Sequence, residues 1–251
     1  MKPGTLYLVP APLDFACTEQ APLQTSMPEQ TLVRTASLTC WISENARSTR
    51  AYLKRVGQLH PLSRPMQEIE IQELPRAVHK HGDHDGRFDA RDLLRPATTG
   101  QDMGLICEAG MPGIADPGSS VVRAAHALQI PVQVLVGPVS LMLALAASGL
   151  NGQHFAFAGY LPQETSERSR RIVQLESLAL KSGQTQLFIE TPYRNQALFD
   201  ALVSTLQDRT WLSIACGLTL PGGWSLCLQR QSWKKRPVPD LTAPTVFAIG
   251  R

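Results

Sequence analysis

The sequence predicts an α/β fold made of two α/β domains, and three patterns carry that reading. Short apolar runs alternate with amphipathic stretches along the chain. Glycine and proline gather where those runs end, at 10–12, 110–118 and 137–138. The segment SGLNGQ at 148–153 interrupts the alternation, so the expected domains are residues 1–152 and 153–251.

Taken in order, residues 5–9 (TLYLV) read as a short buried strand ending in a proline-rich turn. Residues 31–38 close a helix, and 40–43 form a second short strand. The stretch 45–56 reads as a helix with Ala51, Leu53 and Val56 on its apolar side and Gly57 as its stop. Pro61, Pro65 and Pro75 deny the next stretch a firm period, although Ile69 and Ile71 share a strand face. AVHKHGDHDG is polar and turn-rich, and 87–94 reads as a short helix. Beyond Gly100 the alternation sharpens: strand 103–107, the loop EAGMPGIADPG, helix 119–128, strand 132–136, and a helix starting near Ser140. A mostly parallel sheet connected in this way offers its ligands the carboxyl ends of its strands. The second half continues with strand 155–159, a charged helix over 167–180, strand 187–191, helix 195–206, and strands near 211–215 and 245–249.

The composition excludes several classes of protein. A hydrophobic fraction of 43% and a charged fraction of 18% over 251 residues fit a folded core and not disorder. A net charge of +3 is too balanced to announce a polyanion-binding tail, although residues 153–251 hold 11 basic against 7 acidic side chains. Cys17, Cys40, Cys107, Cys216 and Cys227 form no CxxC pair and read as reduced thiols of a cytoplasmic protein. The opening MKPGTLYLVPAP reads as a first strand and not a signal peptide. Residues 124–163 contain no Lys, Arg, Asp or Glu, yet glycines interrupt them. Their longest helix-compatible piece, 139–148, is about half a membrane span, so no membrane association is expected.

The loop 108–118 is the most informative segment. Three glycines and two prolines between a strand and a helix hold an unusual path and leave peptide groups open to a ligand. It is not a phosphate loop, since neither a Walker pattern nor GxGxxG occurs. Asp116 either caps the following helix or holds the loop's own amides. Glu108, at the end of a buried strand, either meets a ligand or closes the loop network. Ser140 begins the next helix as a cap, a ligand contact or both. In FIETPYR, Glu190 and Arg194 either close a turn or reach a substrate. His79, His81 and His84, in a polar stretch with Asp83 and Asp85, match no zinc framework and read as solvated loop histidines, so no metal is expected. No GxSxG elbow and no cysteine–histidine pair marks a nucleophile, and no catalytic residue is assigned.

Together, GTLYLVPAPL, SENARSTRAYL (43–53), GLICEAGMPGIADPGSSVVRAAH (104–126), VLVGPVSLMLALAASGL (134–150), FAFAGYLP (155–162), LFIETPYRN (187–195) and APTVFAIG resemble the tetrapyrrole methylase superfamily. Its members are S-adenosylmethionine-dependent methyltransferases with two α/β domains and a cofactor cleft between them. Within it, the chain resembles the 16S rRNA cytidine-2′-O-methyltransferase branch, or a less characterised sister group with EAG, GYLP and ETPYRN signatures.

The resemblance implies S-adenosylmethionine as cofactor, with Leu13 on the first-loop side of the cleft. It implies Ala109, Gly110, Met111 and Ile114 along the cofactor, Ser140 and Leu141 at the next helix start, and Glu190 and Pro244 on the second-domain side. Glu44 and Arg47 become substrate-side candidates. A homodimer is implied, and no metal. The implied acceptor is an rRNA ribose, or else a small molecule or tetrapyrrole; a non-catalytic cofactor- or rRNA-binding relative is the remaining alternative. Departures from the rRNA branch bear on that choice. The branch has SDAGTP where this chain has CEAGMP, and EDTR where it has ENAR. The branch's glycine-asparagine is replaced by Leu13-Asp14-Phe15, and its R-E-L-T-K segment by CGLTLPGG (216–223).

Overall fold

The computed structural model describes residues 2–251, with the backbone alone of His79, Lys80 and His81. The chain divides into two units, Met1–Val139 and Ser140–Arg251, each built on its own five-stranded sheet.

The first unit runs β1 (Leu6–Leu8), α1 (Glu29–Ser37), β2 (Cys40–Ser43), α2 (Ala46–Gly57), β3 (Glu70–Glu73), α3 (Arg76–His81), α4 (Arg95–Thr98), β4 (Met103–Ile106), α5 (Ser119–Ala127) and β5 (Val132–Val134). Its strand order is β3-β2-β4-β1-β5, with every neighbouring pair parallel. Strand side chains alternate between faces. Leu6, Leu8, Ile42 and Leu105 face a cluster that includes Val121 and Ala125 of α5. Tyr7, Val9, Trp41 and Ile106 face Leu32 and Ala36 of α1 and Leu53 and Val56 of α2. Right-handed crossovers therefore send the chain off the adjacent strands β1 and β4 toward opposite faces of the sheet.

The second unit runs α6 (Ser140–Ser148), β6 (Phe155–Tyr160), α7 (Thr165–Ser182), β7 (Thr185–Glu190), α8 (Asn195–Thr205), β8 (Trp211–Cys216), β9 (Trp224–Gln229), α9 (Arg230–Trp233) and β10 (Thr245–Gly250). Its order is β6-β7-β10-β8-β9, with only β6 and β7 parallel. Phe188, Ile214 and Phe247 bury against Ile172 and Leu175 of α7 and Leu198 and Leu202 of α8. The Glu164 carboxylate accepts the Ser166 and Glu167 amides to start α7, and Gly183 ends it in the left-handed region.

Three expectations change. The division falls before α6 and not at 152/153, because α6 packs on β8, β9 and β10 of the second sheet. The expected helix at 87–94 is a single 3-10 turn, Arg91–Leu94, running into α4. Asp89 accepts the Arg91 amide there, so the backbone turns before a helix can propagate. Strand β9 had no counterpart in the sequence reading. It is an edge strand, almost all of it half-buried, and Pro221, Gly222 and Gly223 immediately before it made the region read as loop.

Packing of β4 on β2 leaves no room beside Gly104, which pairs in register with Trp41. A Cβ at Gly104 would lie 2.5 Å from the Trp41 ring. Gly104→Ala should therefore destabilise the protein by about 1–3 kcal/mol, seen as a lower urea midpoint at unchanged m-value. An unshifted midpoint would mean that the indole can move aside without loss.

Candidate functional site

The site begins where β1 and β4 end. Val9 N donates to Leu105 O at 2.8 Å, and Ala11 and Gly110 then exchange two backbone bonds, at 2.8 and 3.0 Å. Because the chain leaves these two strands toward opposite faces, this is the switch point at which an open α/β sheet offers a crevice. Gly110 has φ +70°, and a Cβ there would lie 3.4 Å from Leu13 Cδ2 and 3.8 Å from Pro138 O. The loops after β1, β4 and β5 thus converge on one glycine. Leu13 and Met111 are buried and Ala109 is half-buried beside it. Ile114 is 42% exposed and Val136, at the β5 loop, 70%. Apolar side chains left in water beside converging backbone make a surface suited to an organic ligand.

Charge at this edge is arranged in two ways. Glu44, just past β2, donates its amide to Ile106 O at 3.1 Å, and its Oε2 accepts the Glu108 amide at 3.1 Å. Asp116 joins this carboxylate group: burial first, then the charges of Glu44 and Glu108, push its carboxyl up to about 7. The cap of α5 comes from elsewhere. Asp83 accepts Gly118 N at 3.0 Å, Ser120 N at 2.8 Å, Ser119 Oγ at 2.7 Å and the Ser120 hydroxyl. Burial opposes the Asp83 charge, but these bonds outweigh it and hold the carboxyl below its ordinary value. Asp83 is therefore a buried cap within a stretch whose composition is that of a polar loop, and Asp116 does not have the capping role. A cap that arrives from 35 residues upstream leaves no trace in local spacing. The side chains of His79 and His81 lie outside the described residues. Among the described residues, no group of three or more His, Cys, Asp or Glu is placed to hold a metal ion.

Asn45 caps α2, its Oδ1 accepting the amides of Arg47 at 2.9 Å and Ser48 at 3.4 Å. Arg47 is exposed on the first turn, beside a cavity of about 520 Å³ lined by Ala11, Asp14, Phe15, Arg47, Tyr52 and Glu108 among others. Glu44 stands at the strand end next to it. In the second unit, Ser140 is the first residue of α6 and Leu141 is buried. The Glu190 carboxylate accepts Thr191 N at 2.7 Å and Arg194 Nη2 at 2.8 Å, so the pair closes the turn after β7. Pro244, whose carbonyl accepts Gly217 N at 2.9 Å, precedes Thr245, the register partner of Glu190. The first-unit candidates are thus gathered on one strand edge, and Glu190 and Pro244 lie at one end of neighbouring strands. Sequence reasoning missed Asp14 and Phe15, whose only signal was a charge inside an otherwise apolar turn.

No family model matches the chain. It is 31% identical over 192 residues to the ribosomal RNA small subunit methyltransferase I of Xylella fastidiosa, covering 76% of this chain and 60% of that one. It is 31% identical over 206 residues to the protein of the same name from Micromonospora olivasterospora, covering 82% and 57%. Among solved structures, the methyltransferase CobJ superposes with a TM-score of 0.57 at 15% identity, over 99% of this chain and 94% of that one. The chain is related to these methyltransferases. It shares the fold of CobJ, an α/β fold with two sheet-bearing units, and it spans about 60% of the length of the curated relatives it matches.

In this relative of the methyltransferases, the raised Asp116 carboxyl makes stability depend on pH. A carboxyl raised on folding stabilises fully below its unfolded value of 3.8, and that contribution is lost as pH rises through about 7. The parent should lose stability, on the order of a few kcal/mol, between those limits. Asp116→Asn should flatten this part of the curve, measured as urea midpoints at about pH 5 and about pH 8. Parallel curves for parent and variant would show that Asp116 is not crowded.

Proposed function

We propose that this chain is an S-adenosylmethionine-dependent methyltransferase that acts on ribosomal RNA. The observation that carries the reading is the paired bond between Ala11 and Gly110 at the switch point, with Leu13, Pro138 and Gly110 drawn together around it. In this reading Leu13, Ala109, Gly110, Met111 and Ile114 hold the cofactor from the first unit. Buried apolar Leu13 and Met111 suit its hydrocarbon parts, and the open φ of Gly110 keeps side-chain atoms out of its way. Ser140, Leu141, Glu190 and Pro244 are the second unit's share. When bound, S-adenosylmethionine supplies a methyl group made electrophilic by its sulfonium charge. The protein's own part is then to align the acceptor and keep water away. Glu44 and Arg47 take the acceptor side, at the carboxyl end of β2 and the first turn of α2.

The RNA acceptor is supported by the names of the related proteins and by the basic residues Arg168, Arg170, Arg171, Lys234, Lys235 and Arg236 of the second unit. Five cysteines, none of them in a disulfide among the described residues, support a reducing, cytoplasmic setting. Among the described residues, no helix is long and apolar enough to cross a membrane. A homodimer completes the proposal.

Titration calorimetry with S-adenosylhomocysteine should show saturable binding to the parent protein. Gly110→Val should weaken it by at least about tenfold while circular dichroism stays unchanged, because a branched side chain at φ +70° meets Leu13 and Pro138. Equal affinity in the variant would reduce the 108–118 loop to a sheet-edge connection, and a folded parent that does not bind would end the methyltransferase reading.

A further inference from the structure

We propose that the cavity beside α2 receives one unstacked nucleotide of a single-stranded RNA segment, its base against Phe15 and its phosphate on Arg47. The inference rests on the methyltransferase reading and adds to it the form in which the acceptor enters. The cavity, of about 520 Å³, lies wholly within the first unit and is of the size that small-molecule sites occupy. Its floor is the carboxyl ends of β1 and β4, with Ala11 and Glu108 among its lining residues. Ala11 is also half of the bridge to Gly110, so the cavity and the proposed cofactor loop share a wall.

The cover of the cavity is built, not incidental. Arg55 Nη1 forms an ion pair with Asp14 at 2.9 Å, and its Nη2 donates to Ala21 O at 2.7 Å. One guanidinium thereby ties both ends of the 14–21 loop to α2. Asp14 is 4% exposed, so this charge pair is withdrawn from water and resists opening. The tied loop carries Ala16 at φ +58°, a backbone that non-glycine residues rarely adopt, and next to it presents Phe15 at 42% exposure. Folding leaves that ring without full burial although a clamped loop holds it in place. Arg47, which lines the same cavity, extends from a capped helix start into solvent, and it is a cation whose backbone is fixed by Asn45.

An aromatic ring and a guanidinium that line one cavity match a flat base joined to a phosphate. Proteins read single-stranded RNA in this manner, by stacking unpaired bases on aromatic side chains and neutralising the backbone. A base held inside a duplex cannot reach an aromatic ring set within a cavity, so the nucleotide must be unstacked.

The test is fluorescence anisotropy of the full chain with a short labelled single-stranded RNA and with the same RNA annealed to its complement. The parent should prefer the single strand. Phe15→Ala should weaken single-strand binding by about tenfold with an unchanged salt slope, and Phe15→Trp should restore it. Arg47→Gln should reduce the slope of log affinity against log salt by about 0.7, the contribution of one phosphate on a single strand. Binding of the duplex as tightly as the single strand, or variants that bind as the parent does, would overturn the proposal. A parent that binds no RNA but is saturated by a free nucleoside monophosphate would also overturn it, in favour of a small-molecule acceptor. S-adenosylhomocysteine affinity, measured on the same samples, separates the two readings: its absence alone removes methyl transfer and leaves the nucleotide site standing.

Discussion

The first unit's site depends on the two hydrogen bonds that Ala11 and Gly110 exchange. Parallel neighbours such as β1 and β4 end side by side, and their chains must then part toward opposite faces of the sheet. Without a tie, two such loops would be free to separate at the point where a ligand needs a defined surface. The bridge prevents this just beyond the last strand residues, and prolines on both sides limit how either loop can relax: Pro10 and Pro12 flank Ala11, and Pro112 follows Met111. The geometry is possible because the residue on the β4 side is glycine at φ +70°, close to Leu13 and to the Pro138 carbonyl. One backbone pairing thus sets the relation of three loops, and the proposed cofactor and nucleotide sites lie on either side of it.

Negative charge at the same edge is handled by geometry. Helix starts carry unpaired N–H groups and partial positive charge, and two of them here are given side-chain oxygen acceptors. Asp83 serves α5, and Asn45 and Glu73 serve α2. Glu44, Glu108 and Asp116 serve no helix start, and burial, joined by the charges of Glu44 and Glu108, raises the Asp116 carboxyl. A cation relieves such crowding, whereas a second anion adds to it. The proposed cofactor carries a sulfonium, and the phosphate of the proposed acceptor meets Arg47 instead of this acidic group.

The alternation of strands and helices was legible in the sequence because each element's pattern is local. The run 103–107, the glycine-proline loop after it and the helix from Ser119 appear where apolar period and turn residues placed them. Contacts that join distant segments were not legible. Asp83 carried no sign of its capping role, because the groups it accepts from lie 35 to 37 residues away. Arg55 lay within a predicted helix, with nothing to reveal that it would clamp residues 14 and 21. The division at 139/140 escaped for a related reason: a break in chain composition at 148–153 marks where the backbone turns, not which sheet α6 packs against. For the site, local reading found the convergent loops but not the cavity, whose walls come from three separate stretches of chain.

The departures from the resembling branch now sort by what they do to the backbone. Asn45, in place of an aspartate, still accepts two helix-start amides, so α2 and the position of Arg47 are kept while one charge is removed from an already acidic edge. Glu108 extends the neighbouring carboxylate by one methylene, but its amide is still held by Glu44. The segment Cys216–Gly223 is a different case. Gly217, Thr219 and Gly222 all take positive φ, and a Cβ at Gly223 would lie 2.1 Å from the Gly217 carbonyl oxygen. Leu220 N bonds to Gly217 O and Gly223 N to Leu220 O, so the stretch folds on itself as two tight turns. A side chain at Gly217 would strain this path through its left-handed backbone, and one at Gly223 would collide with the closed turn. Of the branch's charged flanks, the glutamate that would stand at position 217 is therefore the one this backbone disfavours, in a loop that Gly217 N ties to Pro244.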